Sequence, residues 1–463
     1  VAETDDFLQL FQPGDPRPVH FMGIGGAGMS ALALLARRRG VAVNGCDTDP
    51  SGAADVEALG VTVQSGHNPA HVKGARAVVV TAAVPADHPE LLAARAAGLP
   101  VVPRKVALAA LCQGRDTVAV SGTHGKTTTT VMVTEALARA GLDPTGLAGG
   151  RVGRWGGNAR VGSDSLFVVE ADEYDKAFLE LSPTVAIVNN VEADHLECYG
   201  TLKDLEQAFV TFAGRARVAI VGADDAGALR VAERLTNPVV RFGTSDGAEA
   251  RLRDVVQRPD RTHARVRLPG GGEIPLTLHV PGLHNLRNAL AALLAVDALG
   301  GDLEEAVEAL AAFRGVGRRF ERIGVERGID VVDDYAHHPT ELEATLAAAR
   351  QAYPGRRLVA VFQPHLFSRT EQHGDAMGRA LAAADVVVVT EIYAAREQPM
   401  PGVSGRTVAD TATRAGTRTL FEQDRAALGA TILGLVEPGD VVLTLGAGDI
   451  TRVGPELLGL LRS

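Results

Sequence analysis

The chain has 463 residues, 46 Lys plus Arg against 56 Asp plus Glu, and a formal net charge of -10. Hydrophobic residues make up 46% and charged residues 22%, which excludes a disordered chain and, at about 100–200 residues per domain, suggests two to four domains. The acidic balance leaves no footprint for nucleic acid; no apolar run approaches the roughly 18 residues that cross a bilayer, and the opening AETDDFLQLFQPGDPRP lacks a signal pattern, so a cytoplasmic protein with no membrane partner is expected.

Apolar runs alternate with longer helical patterns three times over, the mark of parallel sheets with crossover helices. The first segment, 1–114, opens with VHFMGIGGAGMSALALLARRRGVAVNGCD, read as strand, glycine turn, helix and strand, and continues through strand-like 78–80 and 101–102. The second, 115–319, opens with TVAVSGTHGKTTTTVMVTEALARAG, again strand, turn and helix, with strands expected at 166–170 and 185–191. From about 238 to 281 short strands broken by Gly and Pro, as in THARVRLPGGGEIPLTLHVPG, predict a small antiparallel sheet within this domain. The third, 320–463, has strands expected at 330–334, 358–362, 386–390 and 441–445. The expectation is an α/β chain of three domains: Rossmann-like at the N-terminus, a central P-loop domain, and Rossmann-like again at the C-terminus.

Cys46, Cys112 and Cys198 lie far apart with no C-x-x-C spacing, so they signal neither a disulfide framework nor a zinc site. Only five lysines occur, Lys73, Lys105, Lys126, Lys176 and Lys203. Covalent lysine chemistry is thereby excluded from everything after Lys203.

Two glycine loops carry the chemistry. Gly23-Ile24-Gly25-Gly26-Ala27-Gly28 fits G-x-G-x-x-G between a strand and a helix, with Asp47 closing the next strand. Such glycines let backbone approach a pyrophosphate at a helix N-terminus, and the loop leaves open whether the ligand is NAD or a nucleotide sugar. Ser121-Gly122-Thr123-His124-Gly125-Lys126-Thr127-Thr128 is shorter than the usual triphosphate loop but keeps its functional end: Lys126 to reach the β and γ phosphates, Thr127 to ligate magnesium. A second phosphate loop argues against a dehydrogenase and for phosphoryl transfer. Glu170 in LFVVEADEYD, with Asp172, Glu173 and Asp175 after it, and Asp194-His195 in VAIVNNVEADHLECYG end two further strands, at the sheet edge where ligands and hard metal ions collect.

Together with His284-Asn285-Leu286-Arg287-Asn288 and Asp334-Tyr335-Ala336-His337-His338-Pro339-Thr340, these motifs resemble the Mur ligases, the ATP-dependent amino-acid ligases of peptidoglycan synthesis. GIGGAGMS, GRRFE, DDYAHHPTE and FQPH are most similar to the branch that adds L-alanine to UDP-N-acetylmuramate. The resemblance implies that the first domain binds the UDP of the sugar nucleotide through Gly23, Gly25, Gly26, Ala27, Gly28, Asp47, His67, Thr81 and Arg104. It implies ATP on Gly122, Thr123, His124, Gly125, Lys126, Thr127 and Thr128, with Asn285 and Asn288 on the adenine side and Arg319 on the phosphates. Mg2+ or Mn2+ would be held by Thr127, Glu170 and His195, and the amino acid met by His124, Tyr335, His337 and Arg369, with Lys126, His195, His337 and Arg319 as the catalytic set. An acyl phosphate of the muramyl carboxylate would be the intermediate, in a monomer or homodimer. The pattern is departed from twice: Leu366 stands where an arginine is common, and Phe209 stands near the position of a carbamylated lysine in other Mur ligases, with Lys203 six residues away.

Overall fold

The computed structural model describes residues 10–395 and 397–463; most of the acidic N-terminal stretch lies outside them. Among the described residues the chain forms three sheets, and no helix is long and apolar enough to cross a membrane.

The first sheet holds β1 (Val19–Met22), β2 (Val43–Asp47), β3 (Thr62–Ser65), β4 (Ala77–Val80) and β5 (Val101–Pro103), all parallel in the order β3-β2-β1-β4-β5. The order reverses beside β1, so the first glycine loop sits at the switch point of a doubly wound sheet. The second sheet has ten strands: β6 (Asp116–Ser121), β7 (Thr145–Val152), β8 (Gly157–Arg160), β9 (Leu166–Glu170), β10 (Val185–Val188), β11 (Val218–Gly222), β12 (Val239–Gly243), β13 (Ala250–Gln257), β14 (Thr262–Arg267) and β15 (Glu273–Leu278). Their order is β15-β14-β13-β12-β11-β10-β6-β9-β7-β8. Strand β6, rich in small and β-branched residues and buried from Thr117 to Ser121, is flanked by β9 and β10 in parallel register, which is the composition a strand covered on both faces requires.

This corrects one expectation. The short strands after 238 do not form a separate small sheet: β12 pairs with β13 in parallel through Phe242↔Ala250 and Gly243↔Arg251, so β13–β15 extend the edge of a mixed sheet. The connections between β13, β14 and β15 are tight, closed by Arg258 N to Arg261 O and Leu268 N to Gly272 O, both 2.8 Å. Only antiparallel hairpins can turn that sharply, so the local pattern was antiparallel as expected while its attachment was not. A second difference is that β10 stops at Val188 rather than 191. Asn189 and Asn190 leave the ladder to bond the triphosphate-type loop.

The third sheet, β16 (Glu321–Glu326), β17 (Ile329–Asp334), β18 (Leu358–Phe362), β19 (Val386–Thr390), β20 (Arg418–Glu422) and β21 (Val441–Leu445), runs β16-β17-β21-β18-β19-β20, parallel except for β16 against β17. Its inner strands LVAVF, VVVVT and VVLTL are buried throughout.

The chain divides into two compact units. One comprises Val1–Asp254, Ala264–Leu276 and Arg287–Ala312; the other Val255–His263, Thr277–Leu286 and Phe313–Ser463. Within the first, helix Ala27–Arg38 meets the β7–β8 layer, where Asn158 Nδ2 donates to Ser30 Oγ at 3.1 Å, and one apolar core runs from Leu32 and Leu35 through Phe167 to Phe212. Within the second, Gln351 bonds the β13–β14 turn and the segment after β15, donating to Arg258 O at 2.9 Å and accepting from Gly282 N at 2.9 Å.

Candidate active site

The loop after β1 is shaped by contact rather than by flexibility alone. Gly23 has φ +86, and a Cβ there would lie 2.7 Å from Thr81 Cγ2; a Cβ on Gly28 would lie 2.7 Å from an Arg104 guanidinium nitrogen. Gly25 N donates to Asp47 Oδ2 at 2.8 Å. Asp47, Thr81 and Arg104 thus gather on the glycines, with Gly26 as the N-cap of helix Ala27–Arg38. His67 does not: its Nδ1 lies 3.2 Å from Cys46 Sγ and 3.2 Å from Glu90 Oε2.

The loop after β6 is held by residues that sequence reasoning passed over. His124 N donates to Asn190 Oδ1 at 2.7 Å, Thr123 N to Asn190 O at 3.1 Å, and Asn189 Nδ2 to Thr129 Oγ1 at 3.0 Å. Gly122 (φ +132) and Gly125 (φ +80) take conformations that disfavour a side chain, and a Cβ on Gly125 would lie 2.9 Å from Asn288 Oδ1. A polar Asn-Asn pair directly after an apolar strand was the available signal. Asn285 instead donates to Pro281 O at 2.7 Å.

Helix Lys126–Arg139 begins at the loop's end with Lys126, so its ammonium stands where the helix N-terminus concentrates unpaired N–H groups. Nζ donates to Gly122 O at 2.8 Å and to both oxygens of Glu173 at 2.9 and 2.8 Å, with Asp172 Oδ1 at 3.8 Å. Burial works against the lysine's charge, yet Glu173, Asp172 and Glu170 outweigh it and hold its pKa above the ordinary value. Glu173 is 1% exposed by side chain; burial pushes its carboxyl up against the opposing pull of Lys126. Beyond Tyr174, Asp175 and Lys176 both adopt positive φ (53 and 54), so the chain is strained just after the acids Asp172 and Glu173.

Donor atoms of Asp172, Glu173 and His195 lie within 4.8 Å of one another. Glu170 is not part of that group; its Oε1 accepts from Gly149 N at 2.7 Å. Of the expected set of Thr127, Glu170 and His195, His195 lies in this group, and Thr127 and Thr128 are buried in the first turn of the helix. His195 has φ +54, with its amide donating to Asp194 Oδ1 at 3.0 Å. Burial opposes its positive charge, but the Glu197 hydrogen bond and the Asp194, Glu173 and Asp172 carboxylates raise its pKa. The donors fit a hard divalent cation: carboxylate oxygens dominate, and they already gather a cation, the Lys126 ammonium. Phe209 is fully buried, its ring 5.0 Å from Phe178, and offers no oxygen donor.

In the second unit, the Arg319 guanidinium lies 4.8 Å from the Tyr335 ring centre and 4.0 Å from Glu341 Oε1. Arg318, at φ +59, donates to Gly446 O at 2.8 Å. Asp334 accepts from Phe320 N and Ala336 N, both at 2.7 Å, and burial pushes its carboxyl up to about 6 despite Arg319. His337 Nδ1 lies 2.9 Å from Tyr335 O; a carbonyl only accepts, so Nδ1 carries the proton. His338 is buried, its ring 4.9 Å from His373. Arg369 is buried with a guanidinium nitrogen 3.2 Å from His365 Nδ1, and Leu366 is buried at φ +68. Tyr335, His337, Arg319 and Glu341 form one corner after β17; Arg369 meets it through His365, whose ring is 6.0 Å from that of His337.

The chain matches three families in succession: Mur ligase family, catalytic domain, over residues 18–116; Mur ligase middle domain over 120–296; and Mur ligase, glutamate ligase domain, over 318–448. It is 44% identical to the UDP-N-acetylmuramate–L-alanine ligase of Thermobifida fusca, covering 97% of this chain and 99% of that one. Identity to the protein of the same description from Kineococcus radiotolerans is 48%, covering 96% of each. Among solved structures, the UDP-N-acetylmuramate-alanine ligase of Thermotoga maritima superimposes with a TM-score of 0.83 at 32% identity, over 96% of this chain and 99% of that one. A murein peptide ligase from Psychrobacter arcticus gives 0.72 at 27% identity, over 96% and 98%.

Proposed function

The chain belongs to the Mur ligase family, and we propose from that premise that it joins L-alanine to UDP-N-acetylmuramate, converting ATP to ADP and phosphate. The observation that carries the chemistry is Lys126 at a helix N-terminus, bonded to Glu173 beside Asp172 and His195. That constellation brings one fixed ammonium, a row of N–H groups and a carboxylate-rich edge to one loop, the parts phosphoryl transfer needs.

In this reading the loop 122–128 cradles the triphosphate, Lys126 neutralises charge on the β and γ phosphates, and Asn285 and Asn288 meet the adenine side. Arg319 adds a second cation to the phosphates. Gly23 to Gly28, backed by Asp47, Thr81 and Arg104, take the UDP diphosphate. The muramyl carboxylate oxygen attacks the γ phosphorus and ADP leaves, giving an acyl phosphate; alanine's amine then attacks the acyl carbon and phosphate departs. His337, with Nδ1 committed to Tyr335 O, has Nε2 as the nitrogen able to take the amine's proton. Tyr335, His124 and Arg369 orient the amino acid. Magnesium, or manganese, held by Asp172, Glu173 and His195 with Glu170 and Thr127 nearby, would supply charge neutralisation of the phosphates. Positioning and electrostatics carry the rate, since the transferred group requires little covalent help. The reaction belongs in the cytoplasm, where ATP and the sugar nucleotide are made.

The test is phosphate release from ATP by the full chain. Release should require both UDP-N-acetylmuramate and L-alanine; release without the muramyl nucleotide would sink the reading. The similarity to a murein peptide ligase favours one rival, acceptance of L-Ala-γ-D-Glu-meso-diaminopimelate in place of alanine, and turnover with that tripeptide alone would select it.

A further inference from the structure

We propose that the domain of the first sheet carries a transition-metal site of zinc type, built from His20, Cys46, His71 and Glu90 and separate from both glycine loops. The four side chains come from four places: β1, β2, the turn Pro69–Val72, and the first turn of helix Pro89–Ala96. That dispersal is why no ligand spacing was visible in the sequence.

Their donor atoms all lie within 4.8 Å of one another. His20 Nε2 is 2.9 Å from Glu90 Oε1, Cys46 Sγ is 3.4 Å from His20 Nε2 and 3.3 Å from Glu90 Oε1, and His71 Nδ1 is 3.4 Å from Glu90 Oε1. A tetrahedral zinc with bonds of about 2.0–2.3 Å spaces its donors roughly 3.3–3.7 Å apart, a range that the four separations above meet to within about 0.4 Å, the remaining pairs lying within 4.8 Å. His20, Cys46 and Glu90 are fully buried, and His71, with 14% of its side chain exposed, marks the side of entry.

The polar atoms of the cluster face one another. His20 Nε2 and the Cys46 thiol both donate to Glu90 Oε1, at 2.9 and 3.3 Å, while His20 Nδ1 lies 2.9 Å from Asn44 Oδ1. His71 Nδ1 is buried with no hydrogen-bond partner. Two imidazoles, a thiol and a carboxylate therefore converge on one point, held together by protons that a metal ion would replace. One thiolate, one carboxylate and two neutral imidazoles cancel the charge of a divalent ion, which suits burial. Sulfur and nitrogen donors favour zinc over the magnesium of the phosphate site. Binding forms sulfur–metal and nitrogen–metal bonds and sends the Cys46 thiol proton and the His20 Nε2 proton to solvent. His67 Nδ1, 3.2 Å from Glu90 Oε2, would orient the carboxylate.

The site bears on the first glycine loop. Cys46 O accepts from Gly23 N at 2.8 Å and Ile24 N at 3.1 Å, and the adjacent Asp47 holds Gly25 N. A metal on Cys46 would clamp the strand end from which that loop hangs.

The experiment strips the full chain with a chelator and titrates it with Zn2+ and, separately, Co2+. The expected result is one tightly held zinc equivalent that raises the thermal midpoint, and a cobalt form with a thiolate charge-transfer band and the strong visible bands of a tetrahedral ion. Cys46→Ser should abolish the charge-transfer band, and Cys46→Ser and His71→Ala should each weaken zinc binding by about 100-fold or more. His195→Ala, at the phosphate side, should keep the cobalt–thiolate signal. Zinc X-ray absorption on the loaded wild-type chain needs no variant and should find one sulfur among nitrogen and oxygen neighbours. A sulfur-free shell, or wild-type zinc affinity in Cys46→Ser, overturns the proposal.

Discussion

Replacing Lys126 by methionine should separate what the lysine does for the fold from what it does for the phosphates. Its ammonium makes two charged hydrogen bonds to Glu173, a residue with 1% of its side chain exposed, and a third to Gly122 O. Removing one member of a buried ion pair costs about 3–5 kcal/mol, because the other is left charged and dry. Lys126 is itself 16% exposed and burial already favours the neutral form of Glu173, so part of the cost is relieved by protonation and a loss of about 3 kcal/mol is expected. In Lys126→Met/Glu173→Gln the stranded charge is gone, and roughly 2 kcal/mol of that loss should return. Turnover should fall roughly 100- to 1000-fold in Lys126→Met and stay low in the double variant, since the phosphates lose the same cation in both. Urea unfolding, phosphate release and a titration with UDP-N-acetylmuramate measure the three quantities; sugar-nucleotide affinity should change by no more than about twofold, because the two loops end different sheets. Recovery of turnover in the double variant would refute the phosphate role of Lys126, and an unchanged urea midpoint in the single variant would refute the buried-pair argument.

Gly125→Ala forces a Cβ to within 2.9 Å of Asn288 Oδ1 at φ +80, so about 1–2 kcal/mol of strain and at least a tenfold rise in the KM for ATP are expected; normal ATP saturation would contradict the loop geometry. Asn190→Ala removes the acceptor for His124 N and should raise the KM for ATP several-fold while leaving sugar-nucleotide binding intact, as measured by separate titrations. Asp334 binds its proton more tightly in the folded chain than the ordinary 3.8, at about 6. The stability it contributes is therefore complete below about pH 4 and lost as pH rises through 6, a fall of at most ~3 kcal/mol for about two units. Urea midpoints for the second unit should show that slope in the wild type and a flatter one in Asp334→Asn; parallel slopes would rule Asp334 out as its source.

The features legible in the sequence were those written as local runs. LVAVF, VVVVT and VVLTL became inner strands where expected because a strand buried on both faces must be continuously apolar. The lysine loop was legible because glycine, lysine and hydroxyl must follow one another at a strand-to-helix junction. What failed depended on pairing across the chain. The attachment of β13 rests on two residue pairs with β12, and nothing in an alternating pattern names its partner. Nor could the sequence say which of Glu170, Asp172 and Glu173 would take Lys126: all three follow one strand, and the choice is made by the strained turn at Asp175 and Lys176 and by Tyr199, whose hydroxyl donates to Glu173 O at 2.5 Å. The His–Cys–Glu cluster was invisible for the same reason, four residues contributed by four elements.

The scarcity of lysine takes its meaning from that turn. Lys105 donates to Asp175 O at 2.9 Å and Lys176 lies over the Tyr199 ring at 5.6 Å, so both are engaged elsewhere on the turn while Lys126 binds the Glu173 carboxylate. A triphosphate drawing Lys126 away from Glu173 would expose the Glu173 and Asp172 carboxylates to its accompanying metal. Near the position where the resemblance to other Mur ligases would put a carbamylated lysine, Phe209 packs on Phe178 in the core. A negative charge buried there against the Phe178 ring would cost several kcal/mol unless a cation offset it.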